Sequence, residues 1–466
     1  MALKLTIIGA GPGGYVAAIR AAQKGAQVTV VEDYEVGGTC LNWGCIPTKT
    51  LIASAEALEN ARRASDFGVE ISGEVGYNLA KIRERKDKVV SIQVKGVRSL
   101  FKSWGITLII GRGSILSPIV VRAVQMDGAT QDIKSDKIII ATGSKPSRLP
   151  IFPFDGEAVL TSDDAVQMKS VPKSLLIVGA GVIGCEFAFI YRAFGAEVTM
   201  VEMLPGALST EDEDISAIIE RELKKAKIKL FTNVRVEKLE KTAEGLMLSK
   251  LSDGRDIVVE KVLVSIGRSM NSDHIGLEAL GVRKGKRGEI VVNDKMETNV
   301  PGVYAIGDVV GTMMLAHVAS HQGLVAVENA LGENVSMDYR VIPAGIFTMP
   351  EAGSVGLREK QALENGLKIK VGRFQYRGLG KAHAMGEITG MVKVISDQES
   401  DKVLGVHICG AHATDMIHEG ALAIQKGVTA EELGSMIHAH PTLSEAVMEA
   451  AEDVHGTAIH IPKIGR

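Results

Sequence analysis

Cysteine is scarce in this chain. Four residues of 466, Cys40, Cys45, Cys185 and Cys409, are too few for the disulfide framework of a small secreted domain. Proline is sparse too, 13 against 51 glycines, which suits Gly-rich turns between strands and helices and argues against disorder. Neither sign of charge is in excess. A formal net charge of -3 provides no bulk basic surface for nucleic acid or an anionic membrane. Long hydrophobic runs are missing. The longest, around Leu175 to Gly184, is too short to span a bilayer and is interrupted by glycine. The first residues enter a strand pattern directly at Leu3–Ile8, without a charged leader or an apolar signal core. The expectation is a cytoplasmic protein, or one whose leader has been removed.

The length allows roughly three domains. The chain opens with a strand (Leu3–Ile8), a Gly-rich turn (Gly9–Gly14), a helix (Tyr15–Lys24) and a second strand (Gln27–Val31). An amphipathic, Lys/Arg-rich stretch from about Leu51 to Lys102 reads as helical. The opening pattern then recurs: strand Ser174–Val178, turn Gly179–Gly184, helix Glu186–Phe194, strand Glu197–Val201. Repetition of a whole strand-turn-helix-strand unit implies two nucleotide-binding domains. A third region, from about Val341, has no such fingerprint. It ends in a helical, acidic segment at Ser444–Asp453 and reads as a separate α+β domain. No low-complexity linker divides the chain, so one compact body is expected.

In the first fingerprint, Gly9 permits the tight turn, Gly11 lets backbone approach a pyrophosphate, and Gly14 lets the helix pack on the sheet. The helix N-terminus then faces the phosphates with unpaired amides. Glu32 stands where an acid accepts from a ribose 2′-hydroxyl. The second fingerprint is Gly179, Gly181 and Gly184, with Glu202 as its acid. A carboxylate repels a 2′-phosphate, and no Arg lies in the loop Met203–Thr210, so this site should take NAD rather than NADP. The segment Thr298–Asp308 runs an apolar strand into Gly307 and Asp308. Asp308 can accept from a polyol such as the ribityl chain of FAD, which favours FAD at the first fingerprint.

Cys40 and Cys45 follow soon after the first nucleotide unit. Residues five apart on a regular helix lie about 140° apart around its axis, so bridging them needs irregular backbone. Gly44 and Pro47 supply the irregularity. A zinc site would need two further ligands that nothing nearby offers, so no metal is expected. A redox disulfide is the favoured reading over a metal site or a structural bridge. Cys185 and Cys409 read as plain core residues.

Taken in order, Gly9–Gly14, Cys40–Lys49, Ala141–Ser144, Gly179–Gly184, Thr298–Asp308 and His438-Ala-His440-Pro-Thr442-Leu-Ser-Glu445 resemble the class I flavoprotein disulfide reductases over essentially the whole chain. The resemblance implies an α/β fold with two Rossmann-like nucleotide-binding domains and a C-terminal α+β dimerisation domain. Residues 1–147 would be the first part of the FAD-binding domain and 148–270 the NAD-binding domain. Residues 271–342 would return to the FAD domain, and 343–466 would form the interface. It also implies a homodimer in which Cys40 and Cys45 of one subunit meet His440 of the other, with Glu445 orienting that base. Lys49, one helical turn past Cys45, would sit against the flavin, and Glu186 would pair with it near the nicotinamide. Thr142, Gly143 and Gly267 would join the cofactor-binding residues. His438 is expected to pack beside the site.

The implied reaction oxidises dihydrolipoyl groups carried on a separate protein of a 2-oxoacid dehydrogenase complex or the glycine cleavage system. His440 takes a thiol proton, the thiolate attacks at Cys40, Cys45 passes electrons to FAD, and NAD receives a hydride. The alternative is another NAD(P)H-dependent disulfide reductase. The nearest rival is glutathione or trypanothione reductase; glutathione reductase uses NADPH, against which Glu202 and the missing Arg argue. Mercuric reductase would carry a further cysteine pair, absent from Ile461–Arg466. Soluble transhydrogenases lack the full pair. A non-catalytic scaffold is opposed by the intact thiols and His–Glu pair. Three positions depart from the family pattern: Met270 for Pro, Gln322 for Glu and Thr48 for Ser.

Overall fold

A computed structural model describes residues 2–462; position 1 and the last four positions of the Ile461–Arg466 tail lie outside the described residues. The chain divides into two compact units in place of the expected single body. One comprises Met1–Leu149, Thr161–Ser170 and Ile266–Asp338; the other Pro150–Leu160, Val171–Ser265 and Tyr339–Arg466. The chain passes between the units repeatedly, so no single linker marks their boundary.

The first unit is built on a seven-stranded sheet. Strand β1 (Lys4–Ile8) leads through helix α1 (Pro12–Gln23) to β2 (Gln27–Glu32), which pairs parallel with β1. Strand β1 is almost wholly buried, as a strand covered on both faces must be, and so reads as a continuous apolar run. Pro12 starts α1 at the position where a missing N–H costs nothing. On the other side of β1 lies Lys137–Ile140, and beyond it Val303–Ala305, both parallel to it. The C-terminal ends of these strands therefore meet at one edge. That edge gathers Gly9, Thr142, Gly143, Gly307 and Asp308, the place where open parallel sheets bind ligands. The long stretch read as one helix is two, separated at Arg63–Asn78. Helix α2 (Gly38–Asn42) precedes α3 (Cys45–Arg62), and α4 (Leu79–Ser103) follows after Gly68, Gly73 and Gly76. The Asn78 side chain caps α4 by accepting from Lys81 N–H.

The second unit repeats the design. Its parallel sheet runs in the order Lys229–Phe231, Glu197–Val201, Ser174–Val178, Lys261–Val264, Val159–Leu160. A three-stranded antiparallel sheet (Val236–Lys241, Met247–Leu251, Asp256–Val259) accompanies it. The α+β region is a five-stranded antiparallel sheet ordered Ala344–Ile346, Ala352–Gly356, Val403–Cys409, Met391–Asp397, Ile369–Gln375. Alternation along these strands gives the sheet two unlike faces. One carries Phe374, Val392, Val394, Val406 and Ile408, packed with Ala446, Val447 and Ala450 of the helix Glu445–Asp453. At Gly372 a Cβ would lie 2.0 Å from the Ala450 carbonyl oxygen, so only glycine lets that helix rest on the sheet. On the opposite face the paired residues Arg373, Lys393 and His407 form a polar row. Among the described residues no helix is long and apolar enough to cross a membrane.

Candidate active site

The two fingerprints share one geometry. Gly9 has φ +103°, and a Cβ there would stand 2.3 Å from the Ala141 carbonyl oxygen. A Cβ at Gly14 would meet the Gly9 oxygen at 2.0 Å, and at Gly184 the Gly179 oxygen at 2.0 Å. The middle glycines differ in kind. Around the Cβ position of Gly11 the nearest atom is Gly38 Cα at 3.9 Å, and around Gly181 nothing lies within 4 Å. These glycines leave space over the helix N-termini that a side chain would fill. Each acid is locked the same way. Ala10 N–H donates to Glu32 Oε2 at 2.7 Å and Tyr34 N–H to Oε1 at 3.0 Å. Ala180 N–H donates to Glu202 Oε2 at 2.7 Å and Leu204 N–H to Oε1 at 2.8 Å. Burial pushes Glu32 up to about 7 against the pull of the Ala10 and Tyr34 amides.

Thr142 and Gly143 are fixed by Asn271. The Thr142 hydroxyl donates to the Asn271 carbonyl at 2.7 Å, the Asn271 amide returns a bond to Thr142 O at 3.0 Å, and Asn271 N–H donates to Gly143 O at 2.9 Å. Gly267 has φ +107° and accepts from Ser147 N–H at 3.0 Å. Asp308 accepts from the Ser144 hydroxyl through Oδ2 and stands 3.8 Å from Arg268 Nε. Gln322 is fully buried and accepts from Gly307 N–H at 2.7 Å, while its amide donates to Thr312 Oγ1 at 3.4 Å. The first bond suits Glu or Gln; in the second the amide donates, where a glutamate would accept from the Thr312 hydroxyl instead. Met270 is buried in the core of this unit.

Helix α2 stops at Trp43, and Gly44 (φ -120°, ψ -115°) turns the chain into α3. A Cβ at Gly44 would lie 2.8 Å from the Thr39 oxygen. This break is the irregularity that lets residues five apart meet: the Cys40 thiol is hydrogen-bonded to Cys45. Both are free thiols, Cys45 exposed and Cys40 half-buried. The bond to Cys45, then burial, raises the Cys40 thiol, and the charge of Lys49 draws it back. Lys49 lies one turn past Cys45 on α3. The Thr48 hydroxyl donates to Gly44 O at 2.7 Å, which a serine would also do.

The second unit holds the other chemistry. His440 is exposed, and its Nδ1 lies 2.9 Å from Glu445 Oε1. Burial acts to raise the Glu445 carboxyl, but the Thr442 N–H and His440 together hold it below the ordinary range. His438 is engaged at both ring nitrogens, Nε2 with Glu419 at 2.7 Å and Nδ1 with Met436 O at 2.9 Å, as a packing residue would be. Glu186 is buried and accepts from Phe347 N–H at 3.1 Å. Cys185 and Cys409 are buried.

Sequence reading passed over Arg268 although it stands beside Gly267. Its Nε donates to Ser144 Oγ at 2.7 Å and its terminal nitrogen to Ser144 O at 2.9 Å and to Thr39 Oγ1 at 3.5 Å. An arginine directly after the glycine assigned to the cofactor was the available signal.

Residues 3–323 match the family described as pyridine nucleotide-disulphide oxidoreductase, and 342–451 its dimerisation domain. A dihydrolipoyl dehydrogenase of Bacillus subtilis (strain 168) is 45% identical over 469 residues, 98% of this chain and 98% of that one. One of Thermus scotoductus is 43% identical over 462 residues, with the same coverage of both. Among solved structures, LpdA from Mycobacterium tuberculosis is similar with a TM-score of 0.91 at 30% identity, covering 97% of this chain and 99% of its own. The HOCl-induced flavoprotein disulfide reductase RclA from Escherichia coli gives 0.86 at 26% identity, over 96% and 99%.

Proposed function

The chain belongs to the pyridine nucleotide-disulphide oxidoreductase family, and on that premise we propose that it oxidises protein-bound dihydrolipoyl groups through a redox-active cysteine pair and FAD, with NAD as acceptor. The observation that carries this reading is the contact of Cys40 with Cys45 across the Gly44 break. The dihydrolipoyl dehydrogenases matched along nearly the full chain supply the substrate class.

The first seat fits a flavin dinucleotide. The space over Gly11 takes a pyrophosphate, Glu32 has lone pairs beyond its two amide bonds for a ribose, and Asp308 keeps Oδ1 for a polyol hydroxyl. Gly9 and Gly14 shape that seat, and Thr142 and Gly143 border it. Gly179, Gly181, Gly184 and Glu202 would hold NAD in the same manner, and roles near the reacting rings for Glu186, Gly267 and Lys49 are what the family resemblance implies. When bound, FAD supplies the two-electron step between the thiol pair and NAD.

The residues of the chain handle protons and sulfur. His440 of a second copy takes a proton from the first dihydrolipoyl thiol at Nε2, because Nδ1 is held by Glu445. The thiolate attacks Cys40 Sγ, the Cys40–Cys45 bond breaks, and Cys45 leaves as thiolate. The second dihydrolipoyl thiol gives its proton to the departing Cys40 sulfur as it displaces it and closes the lipoyl disulfide. The substrate loses two electrons and two protons, and the cysteine pair gains the electrons. In this reading two copies act together as a homodimer, and the lipoyl group is presented by a protein of a 2-oxoacid dehydrogenase complex or the glycine cleavage system.

The test is anaerobic titration of the purified protein with dihydrolipoamide, then NAD, followed in the visible spectrum. Flavin reduction by dihydrolipoamide and formation of NADH are expected. A flavin reduced by NADH but not by dihydrolipoamide would overturn the substrate class in favour of another disulfide, as the likeness to RclA would allow.

A further inference from the structure

Arg268 is nearly buried and joins three segments far apart in sequence. Its Nε donates to Ser144 Oγ at 2.7 Å, and the same hydroxyl donates to Asp308 Oδ2. The serine thus passes polarity from a cation to a carboxylate. Arg268 Nε is itself 3.8 Å from that carboxylate oxygen. Its terminal nitrogen is fixed by Ser144 O at 2.9 Å and reaches Thr39 Oγ1 at 3.5 Å. Thr39 immediately precedes Cys40 on α2. The guanidinium also acts on Asp163, whose carboxyl burial raises and Arg268 draws down. A planar fork with five donors can serve several acceptors at once, where a lysine ammonium cannot keep the same directions.

Two consequences follow from these bonds. Asp308 is held by Oδ2 through the Ser144 hydroxyl, which leaves Oδ1 for a ligand. The helix bearing Cys40 is tied through Thr39 to the same cation. We propose that Arg268 is a positioning residue that couples the Asp308 end of the flavin seat to the redox-cysteine helix. It sets flavin affinity through Ser144 and Asp308, and the alignment of thiol with flavin through Thr39. The proposal rests on the reading of the first seat as the FAD site.

The experiment compares the wild-type full chain with R268M, S144A and T39V in two measurements. One is the FAD dissociation constant from reconstitution of apoprotein. The other is the long-wavelength absorption after two-electron reduction with dithionite, which does not depend on the lipoyl substrate. R268M should bind FAD about tenfold more weakly, the loss of about 1.4 kcal/mol expected of a buried charge-assisted contact. S144A should weaken it about threefold, and this arm decides the matter if R268M does not fold. T39V should keep its affinity within about twofold yet lose about half of the long-wavelength band, which a merely structural role would not move. R268M or, failing it, S144A with wild-type affinity overturns the proposal, as does T39V with an unchanged band. A wild-type chain that takes up no FAD overturns the flavin reading along with it.

Discussion

Glu445 holds His440 by one oxygen and its own loop by the other: Oε1 lies 2.9 Å from His440 Nδ1, and Oε2 accepts from Thr442 N–H at 2.9 Å. The carboxylate therefore holds the ring in place, and in the proposed reaction it orients the base that takes the thiol proton. Glu445→Gln keeps the shape but removes the charge. Turnover of dihydrolipoamide with NAD should fall about 10²- to 10³-fold. NADH oxidation by an artificial dye, which needs no thiol base, should stay near wild type. Equal losses in both assays would assign Glu445 to folding.

Cys45→Ser removes the sulfur that completes the pair while leaving the turn at Gly44 intact. Lipoamide turnover should drop below about a thousandth of wild type, because a hydroxyl cannot form the disulfide. Bound flavin should be retained, since neither cysteine belongs to the pyrophosphate seat. A purified variant with full lipoamide activity would dismiss the redox role of the pair.

Glu202 is buried, and its carboxylate is preorganised by Ala180 and Leu204 N–H. In the proposed reading a ribose 2′-hydroxyl would donate to its remaining lone pairs. Glu202→Ala should raise the KM for NAD about tenfold or more, the cost of a hydrogen bond to a charged group, and kcat should change much less. NADP should gain on NAD because its 2′-phosphate no longer meets a carboxylate. Coenzyme selectivity equal to wild type would remove Glu202 from the nucleotide site.

What could be read beforehand was local. The glycine fingerprints are legible because their sterics act within a few residues, as the 2.0 Å approach of a Gly14 Cβ to Gly9 O makes plain. The His440–Glu445 pair is legible for the same reason. Arg268 meets Ser144 across 124 positions, and Ser144 meets Asp308 across 164. No periodicity connects such residues; parallel pairing of Val303–Ala305 beside Lys137–Ile140 brings Asp308 to the edge where Ser144 follows. The polar row of Arg373, Lys393 and His407 is hidden likewise, since it exists only once three strands adopt their register. The break between α3 and α4 is marked in the sequence by Gly68, Gly73 and Gly76 and by the capping Asn78, signals that a reading of the whole stretch as one helix passes over.

Lys393 sits in that row with Asp212, Asp214 and Glu359 at 2.7, 2.8 and 2.6 Å, and almost no exposure. Burial acts to lower its ammonium, but these partners hold it above the ordinary lysine range. Lys393→Met fills similar volume and leaves three carboxylates with Arg373 as their remaining cation, which bonds Asp214 at 2.9 Å. Removing one partner of a buried ion cluster costs about 3 kcal/mol or more, because the remaining charges stay uncompensated. The urea midpoint should fall accordingly. Additional Asp212→Asn should recover part of the loss, whereas an unchanged midpoint in Lys393→Met would show the cluster to be energetically neutral.

His407 gives stability a pH dependence of definite sign. Its Nε2 is bonded to Leu357 O at 3.0 Å, and Nδ1 has no hydrogen-bond partner among the described residues. Burial lowers the imidazole below its ordinary 6.5, against the pull of the Leu357 carbonyl, Asp212 and Glu211. Below pH 6.5 the unfolded chain therefore binds a proton that the folded chain refuses. Stability contributed by neutral His407 is present above that pH and declines as the pH falls toward the depressed folded value, by at most about 1.4 kcal/mol per pH unit. The comparison is the urea midpoint of wild type and His407→Leu at neutral pH and again below 6. The wild type should lose more on acidification than the variant, because leucine has no proton to take up. Equal acid losses in both would place the folded His407 near its unfolded value, in spite of its burial.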